Sequence, residues 1–187
     1  GAQPEDKLRR RSRRAAFANP PPRMPGMADC DMFLKVEGAT CGPIKGESSD
    51  DAHEGEIDIH GWAWGMQSQT DMAGSGAGGK ASMRELVLRK KVDSASTALM
   101  TALRNNEPIR RAVLTVRKAG GKEPVDALAI TIEQGRITSL SVDSAGGGVA
   151  DIVEQLAFSF QRISVEYTPQ GEDGATRGAM RFETEGP

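Results

Sequence analysis

Along most of the chain apolar side chains recur at every second position, the signature of strands with one covered face. Asp31 to Glu37 reads as a first strand, and a polar loop follows from Gly38 to about Gly55. Glu56 to Gln69 reads as a second strand with two apolar series, Ile57 and Ile59, then Trp62, Trp64 and Met66. The two series are out of step by one residue, and a bulge at Gly61 restores the face. Both tryptophans then point inward and Ala63 points out. Leu86 and Leu88 mark a third strand that runs into Arg89-Lys90-Lys91.

One helix is predicted, from Ser94 to Asn106. Ser94 or Ser96 caps its start, Asn105-Asn106 ends it, and Leu99, Met100 and Leu103 share a face. Strands resume with Ala112, Leu114 and Val116 inward against outward Val113, Thr115 and Arg117. Leu128, Ile130 and Ile132 form the next series; Gly135 breaks it, and Ile137 to Val142 continues. The longest strand is expected from Ile152 to Thr168, with Leu156, Phe158 and Phe160 out of step with Ile163, Val165 and Tyr167. A bulge at Gln161-Arg162 reconciles them, and Met180 to Thr184 is the last strand. Period-two strands, bulges in two long ones and a single helix predict a mainly β fold. The expected form is a closed or nearly closed antiparallel β-barrel with one short α-helix. A parallel α/β fold would need helices between successive strands.

Composition refines this picture. The 187 residues suit one domain. Aromatic residues make up only 4%, so the core rests on Val, Ile, Leu, Met and Ala, and 22 glycines fit turns and bulges. Residues 1–26 carry seven Lys or Arg against two Asp or Glu, together with Asn19-Pro20-Pro21-Pro22, and lack apolar periodicity. Residues 1–28 are therefore expected to be a disordered basic extension, and residues 29–187 the barrel domain. The remainder of the chain is acidic, with seventeen basic residues against twenty-four acidic ones. An acidic body is poorly suited to phosphate backbones, so a nucleic-acid-binding small barrel with a basic arm is the alternative rather than the expectation. No apolar run reaches the roughly 20 residues of a membrane span, and no apolar stretch follows the N-terminal basic residues as in a secretory signal. Cys30 and Cys41 have neither metal-knuckle spacing nor a disulfide framework, and are read as free thiols.

Three groups of residues invite chemistry. Gly74-Ser75-Gly76-Ala77-Gly78-Gly79-Lys80 has the spacing of a phosphate loop, but no buried strand precedes it and no helix follows. Ala81 stands where a magnesium-binding hydroxyl belongs, so a glycine-rich loop is expected and no cofactor. Asp50, Asp51, His53, Glu54, Glu56, Asp58 and His60 gather carboxylates around the only two histidines. His53 lies in a loop and His60 on a strand, so a solvated acidic segment is expected rather than a metal centre. There is no GxSxG and no histidine placed by either cysteine, so no catalytic residues are assigned.

In order along the chain stand Asp31-Met32-Phe33-Leu34-Lys35-Val36, Ile44-Lys45-Gly46-Glu47-Ser48, Glu56-Ile57-Asp58 and Gly61-Trp62-Ala63-Trp64-Gly65-Met66. The glycine loop ending at Lys80, Thr115-Val116-Arg117-Lys118-Ala119-Gly120-Gly121 and Val165-Glu166-Tyr167-Thr168-Pro169-Gln170 complete the set. Over about residues 29–178 this series resembles the haemolysin-coregulated protein (Hcp) family, the inner-tube subunits of type VI secretion. The resemblance implies a non-enzymatic protein that assembles as a homohexamer in stacked rings. Its implied partners are a VgrG-type spike, a contractile sheath and effector proteins in the lumen, with neither nucleic acid nor membrane insertion. It implies assembly in the bacterial cytoplasm and export without a cleaved signal peptide. Ring-stacking or subunit contacts are expected at Glu47, Asp50, Asp51, Gly74, Gly76, Gly78, Gly79 and Lys80. The acidic segment would meet Arg89 to Lys91 or Arg110-Arg111 of a neighbour. Ala63 is expected to face the lumen, at a position where the family often has a serine between its two tryptophans.

Overall fold

The computed structural model describes residues 31–68, 81–118, 125–144, 146–171 and 176–185. The basic extension, Cys30 and the glycine loop from Gly74 to Lys80 lie outside the described residues. The fold is mainly β with one short helix. The chain runs through β1 (Met32–Gly38), β2 (Gly42–Ile44), β3 (Ile57–Asp58), β4 (Gly61–Ala63), β5 (Met66–Gln67), β6 (Ser82–Met83) and β7 (Leu86–Lys91) to helix α1 (Ser96–Arg104). It continues through β8 (Pro108–Lys118), β9 (Val125–Ser144), β10 (Ile152–Ser159), β11 (Arg162–Tyr167) and β12 (Met180–Glu185).

Ten strands form one antiparallel sheet in the order β2-β1-β8-β9-β10-β7-β4. β3 pairs with β1, β11 lies between β9 and β12, and β5 and β6 form a separate hairpin. Strand β9 is the spine. β8 flanks it on one side, and β11 and then β10 run along the other. β10 and β11 are thus the two halves of the long strand expected from Ile152 to Thr168, broken at Phe160-Gln161. The alternation places Leu34, Val36, Leu88, Leu114, Ile130, Ile132, Leu156, Phe158 and Ile163 in one core, closed on one side by Leu99 and Ala102 of α1. Burial of these branched side chains is the main favourable term for the fold.

Several expectations need correction. The predicted strand at Glu56 to Gln69 is three short strands, because its two halves serve different partners: β3 pairs with β1 and β4 with β7. Trp62 lies opposite the buried Leu88, so its inward parity is right, but it sits on an edge strand and remains 36% exposed. Trp64 is half-buried against the core. The polar loop from Gly38 to Gly55 contains β2, which folds back on β1 and buries Ile44. Gly135 does not end its strand; β9 passes through it, with Gln134 at a φ of 52°. α1 starts two residues later than predicted, without a side-chain cap at its N-terminus. Asp93 Oδ1 instead accepts the Ala95 N–H at 3.0 Å, and Ser96 Oγ accepts the Asp93 N–H at 3.0 Å. Met100 is exposed, and Ser96 lies on the buried face. Finally, Thr115 and Arg117 lie outside the main core cluster, as their outward parity requires, yet both are buried, and so is Lys90 of the basic run.

Candidate assembly interface

Lys90 follows Leu86 and Leu88 at the inward parity of β7, which explains its position. Its ammonium donates to Glu154 Oε2 at 2.7 Å, Ser96 Oγ at 3.0 Å and the Lys91 carbonyl at 2.7 Å, and lies 2.7 Å from Asp93 Oδ1. The cluster ties the start of α1 to β7 and β10. It takes Lys90 out of the surface pairings expected of Arg89 to Lys91; Arg89 and Lys91 remain exposed.

On the opposite face of the sheet, loop 45–56 is held down by specific contacts rather than simply solvated. Its base is laced by Gly46 N–H to the Gly55 carbonyl at 2.9 Å and Ser48 N–H to the Glu56 carbonyl at 3.0 Å. Gly46 is required there, since a Cβ would lie 2.4 Å from the Glu56 oxygen. Arg117 of β8, 5% exposed, donates through Nη1 to Asp50 Oδ2 at 2.5 Å and through Nη2 to Oδ1 at 3.2 Å. Its Nε reaches Asp126 Oδ1 at 3.4 Å, and its guanidinium carbon lies 5.2 Å from the Phe33 ring centre. His53 stacks on the same Phe33, with ring centres 4.3 Å apart and planes within 7°. Its Nδ1 lies 2.9 Å from Glu56 Oε2 and its Nε2 3.4 Å from Asp126 Oδ1. The Arg117 hydrogen bonds hold the Asp50 carboxyl below its ordinary pKa. Stability from a lowered carboxyl is present above the unfolded value and lost as pH falls through the folded one, so the pair stays ionised at neutral and mildly acidic pH.

The residues expected to make contacts have separate positions. Glu47 is exposed and accepts the Ser94 N–H at 2.9 Å. Asp50 is engaged by Arg117, and Asp51 and Glu54 are exposed at the loop tip. Ala63 is elsewhere, exposed on β4 opposite Val87. Beside it Trp64, Met66, Arg84, Glu85 and Val87 line a groove of about 580 Å³, and the buried Trp64 Nε1 has no hydrogen-bond partner among the described residues. The paired strands β5 and β6 are fastened by Arg84 Nη2, which donates to Gln67 Oε1 at 2.9 Å.

Another surface was not anticipated. β11 enters the core with Ile163, but its Tyr167 end and β12 extend beyond it as a wing. On its inward face Tyr167 is opposite Met180 and Val165 opposite Phe182, yet Met180 is 66% and Phe182 40% exposed, and Tyr167 is exposed as well. On the other face Arg111, Glu133, Arg162 and Glu185 alternate in charge, directly opposite one another across four strands. Among the described residues β12 pairs only with β11, and no strand lies on its outer edge. The alternating Met180, Phe182 and Thr184 could have given the apolar face away. Local sequence does not show that the face stays exposed among the described residues.

The matches to known proteins agree with this arrangement. A family profile described as "Type VI secretion system effector, Hcp" matches residues 33–167. The chain belongs to the Hcp family. Protein hcp1 of Pseudomonas aeruginosa is 37% identical over 150 residues, which is 79% of this chain and 89% of that protein. Among solved structures, Hcp1 from Salmonella typhimurium superposes with a TM-score of 0.67 at 30% identity, covering 83% of this chain and 94% of that one. A structure described as a type six secretion system protein has a TM-score of 0.73 at 26% identity, covering 81% and 92%. Hcp proteins are structural proteins secreted by type VI systems and are not enzymes, and the acidic loop and the wing of this Hcp chain are to be read in that light.

One consequence concerns Cys41, the exposed thiol of the β1–β2 turn. Burial and then the nearby Glu107 carboxylate raise its pKa. That carboxylate is itself held low by accepting the Thr40 and Cys41 N–H groups at 2.6 and 3.0 Å. A thiol with a raised pKa carries less thiolate. Cys41 is expected to react with iodoacetamide at pH 8 several-fold more slowly than glutathione, and Glu107→Gln to speed it. Peptide mapping reads Cys41 apart from Cys30. A wild-type rate equal to that of glutathione would contradict the expectation.

Proposed function

We propose that this protein is the inner-tube subunit of a type VI secretion system and forms a homohexameric ring. The observation that carries this reading is the β11–β12 wing, which leaves Tyr167 of β11 and Met180 and Phe182 of β12 exposed, with no strand on the outer edge of β12 among the described residues. A free edge with an apolar face is a liability unless another chain covers it. At the edge of the other branch from β9, β4 and the groove at Ala63, Trp64 and Met66 provide a different apolar patch. Two unlike patches make a head-to-tail contact, which generates a ring when the rotation closes.

In this reading residues 29–187 fold as one barrel behind the basic extension. Closure is supported by the segment between β3 and β4: Ile59 N–H donates to the Met32 carbonyl of β1 at 2.9 Å and His60 N–H to the Arg89 carbonyl of β7 at 2.8 Å, so consecutive residues bond to strands on opposite sides of β9. Rings stack through Glu47, Asp50, Asp51 and the loop with Gly74, Gly76, Gly78, Gly79 and Lys80, and Ala63 faces a lumen that carries effectors. A VgrG-type spike caps the tube, a contractile sheath surrounds it, and the protein leaves the cytoplasm without a cleaved signal.

Negative-stain electron microscopy with native mass spectrometry tests the reading. Wild-type protein is expected as rings with six times the 19.9 kDa chain mass. Phe182→Glu is expected as a folded monomer, because it places a charge in the covered face. A wild-type chain that stays monomeric at every concentration, or a Phe182→Glu variant that forms normal rings, would refute the reading.

A further inference from the structure

We propose that Arg117 is a positioning residue for assembly: it fixes loop 45–56 on the outer face of the sheet so that Glu47, Asp51 and Glu54 stand ready for a basic surface of a neighbouring subunit. The inference rests on the reading of this loop as a subunit contact, and it gives Asp50 a different role from its neighbours. Asp50 is the loop's anchor.

The geometry separates anchors from presented groups. Asp50 closes the loop tip from within, accepting the Ala52 N–H on Oδ1 at 2.9 Å, while its backbone carbonyl accepts the His53 N–H at 3.1 Å. Both Asp50 oxygens also accept from Arg117. The residue that shapes the tip is therefore the residue bolted to the sheet. His53 adds a second attachment through its stack on Phe33. The residues that follow these anchors, Asp51 and Glu54, are exposed, as is Glu47, whose Oε1 also accepts the Ser94 N–H at 2.9 Å. Bidentate arginine–carboxylate pairing fixes orientation as well as distance, which a flexible acidic loop would lack. A contact made by a preordered loop avoids the ordering cost that a mobile one incurs on binding.

Removing the guanidinium would do more than release the loop. Arg117 is the cation between Asp50 and Asp126, and Glu56 lies nearby on His53. Without it these carboxylates repel one another across the seam. Arg89 and Lys91 project from β7 without ion-pair partners among the described residues, so the chain itself carries a basic surface of the kind the loop would meet. Arg110 is less available, being 3.1 Å from Glu37 of its own chain.

The test uses the full chain with Arg117→Gln and, because a buried substitution can hinder folding, Asp50→Asn in parallel. Hydrogen exchange of residues 48–56 reads the loop, exchange of β8 and β9 reads the fold, and sedimentation across a concentration series reads assembly. Either variant is expected to speed exchange at 48–56 at least tenfold and to raise the concentration needed for stacked rings at least tenfold, with β9 still protected. The double variant is expected to be no worse than the single ones, since both break one pair. Glu47→Gln/Asp51→Asn/Glu54→Gln is expected to weaken stacking while the loop stays protected. Faster loop exchange with unchanged stacking would reduce Arg117 to a merely structural residue. Unchanged loop exchange would show that the clamp does not hold the loop. A triple variant that assembles normally would instead refute the loop as a contact, and the proposal would fall with it.

Discussion

Lys90→Met is expected to lower stability by about 3–5 kcal/mol, the typical cost of breaking a buried ion pair from one side. Lys90 and Glu154 are both fully buried, and the methionine would leave the Glu154 carboxylate in the core without its cation. The penalty is increased by Glu154 Oε1, which already has no hydrogen-bond partner among the described residues. Removing both charges is a different experiment. Lys90→Met with Glu154→Leu takes the whole pair out of the core, and such exchanges are often neutral or stabilising. Urea unfolding followed by circular dichroism should show a midpoint drop of about 2 M for the single change, given a slope of about 2 kcal/mol/M, and a far smaller drop for the double. Equal losses in the two variants would mean that the packing volume of Lys90, and not its charge, holds β7, β10 and α1 together.

Gly135→Ala is expected to destabilise the protein by about 1–3 kcal/mol, the usual cost of forcing a group into filled space. At this position β9 passes directly under the end of β10. An added Cβ would lie 2.5 Å from the Ser159 carbonyl oxygen and 3.7 Å from the Phe160 Cα. The obstacle is backbone, so no side chain can swing aside, and the spine must part from β10 where its two flanking strands change over. Gly178→Ala is the control, since a Cβ there meets nothing within 4 Å. Thermal unfolding should show Gly135→Ala about 5 °C below Gly178→Ala, as about 1 kcal/mol is worth roughly 2–4 °C at this size. Coincident melting curves would show that β9 has room to move away from β10.

Much of the sheet could be read from the chain because alternation is enforced by burial. Leu114, Ile130, Ile132, Leu156 and Phe158 lie inside as their parity demands, and the break after Phe160 falls beside the expected Gln161-Arg162 bulge. Parity also pointed to Lys90, which continues the inward series of Leu86 and Leu88. The charge of Arg89-Lys90-Lys91 led to a surface assignment, and only the arrival of Glu154 and Asp93 from elsewhere makes the buried position tolerable. Arg117 is the converse case. It does face away from the core, but a loop more than sixty residues earlier in the chain covers it, and no local pattern encodes that cover. The contact assignments at Glu47, Asp50 and Asp51 came from the resemblance, and the fold adds the distinction between a bolted Asp50 and an outward Asp51.

The strand order has a consequence for how the chain is made. β1 acquires its long-range partner only in β8, and β7 is flanked on its inner side only by β10. The meander β8-β9-β10 pairs strands that are neighbours in sequence. On a ribosome adding about 5–20 residues per second, the N-terminal strands therefore emerge well before the surfaces that cover them. Leu34 and Val36 wait for β8, complete at residue 118, and Leu86 and Leu88 wait for β10, complete at residue 159. Such delayed, non-local pairing lengthens the search for the native state. The chain thus spends its earliest moments with β1 and β7 short of these partners, and nascent copies must be kept apart until β8 and β10 have been made.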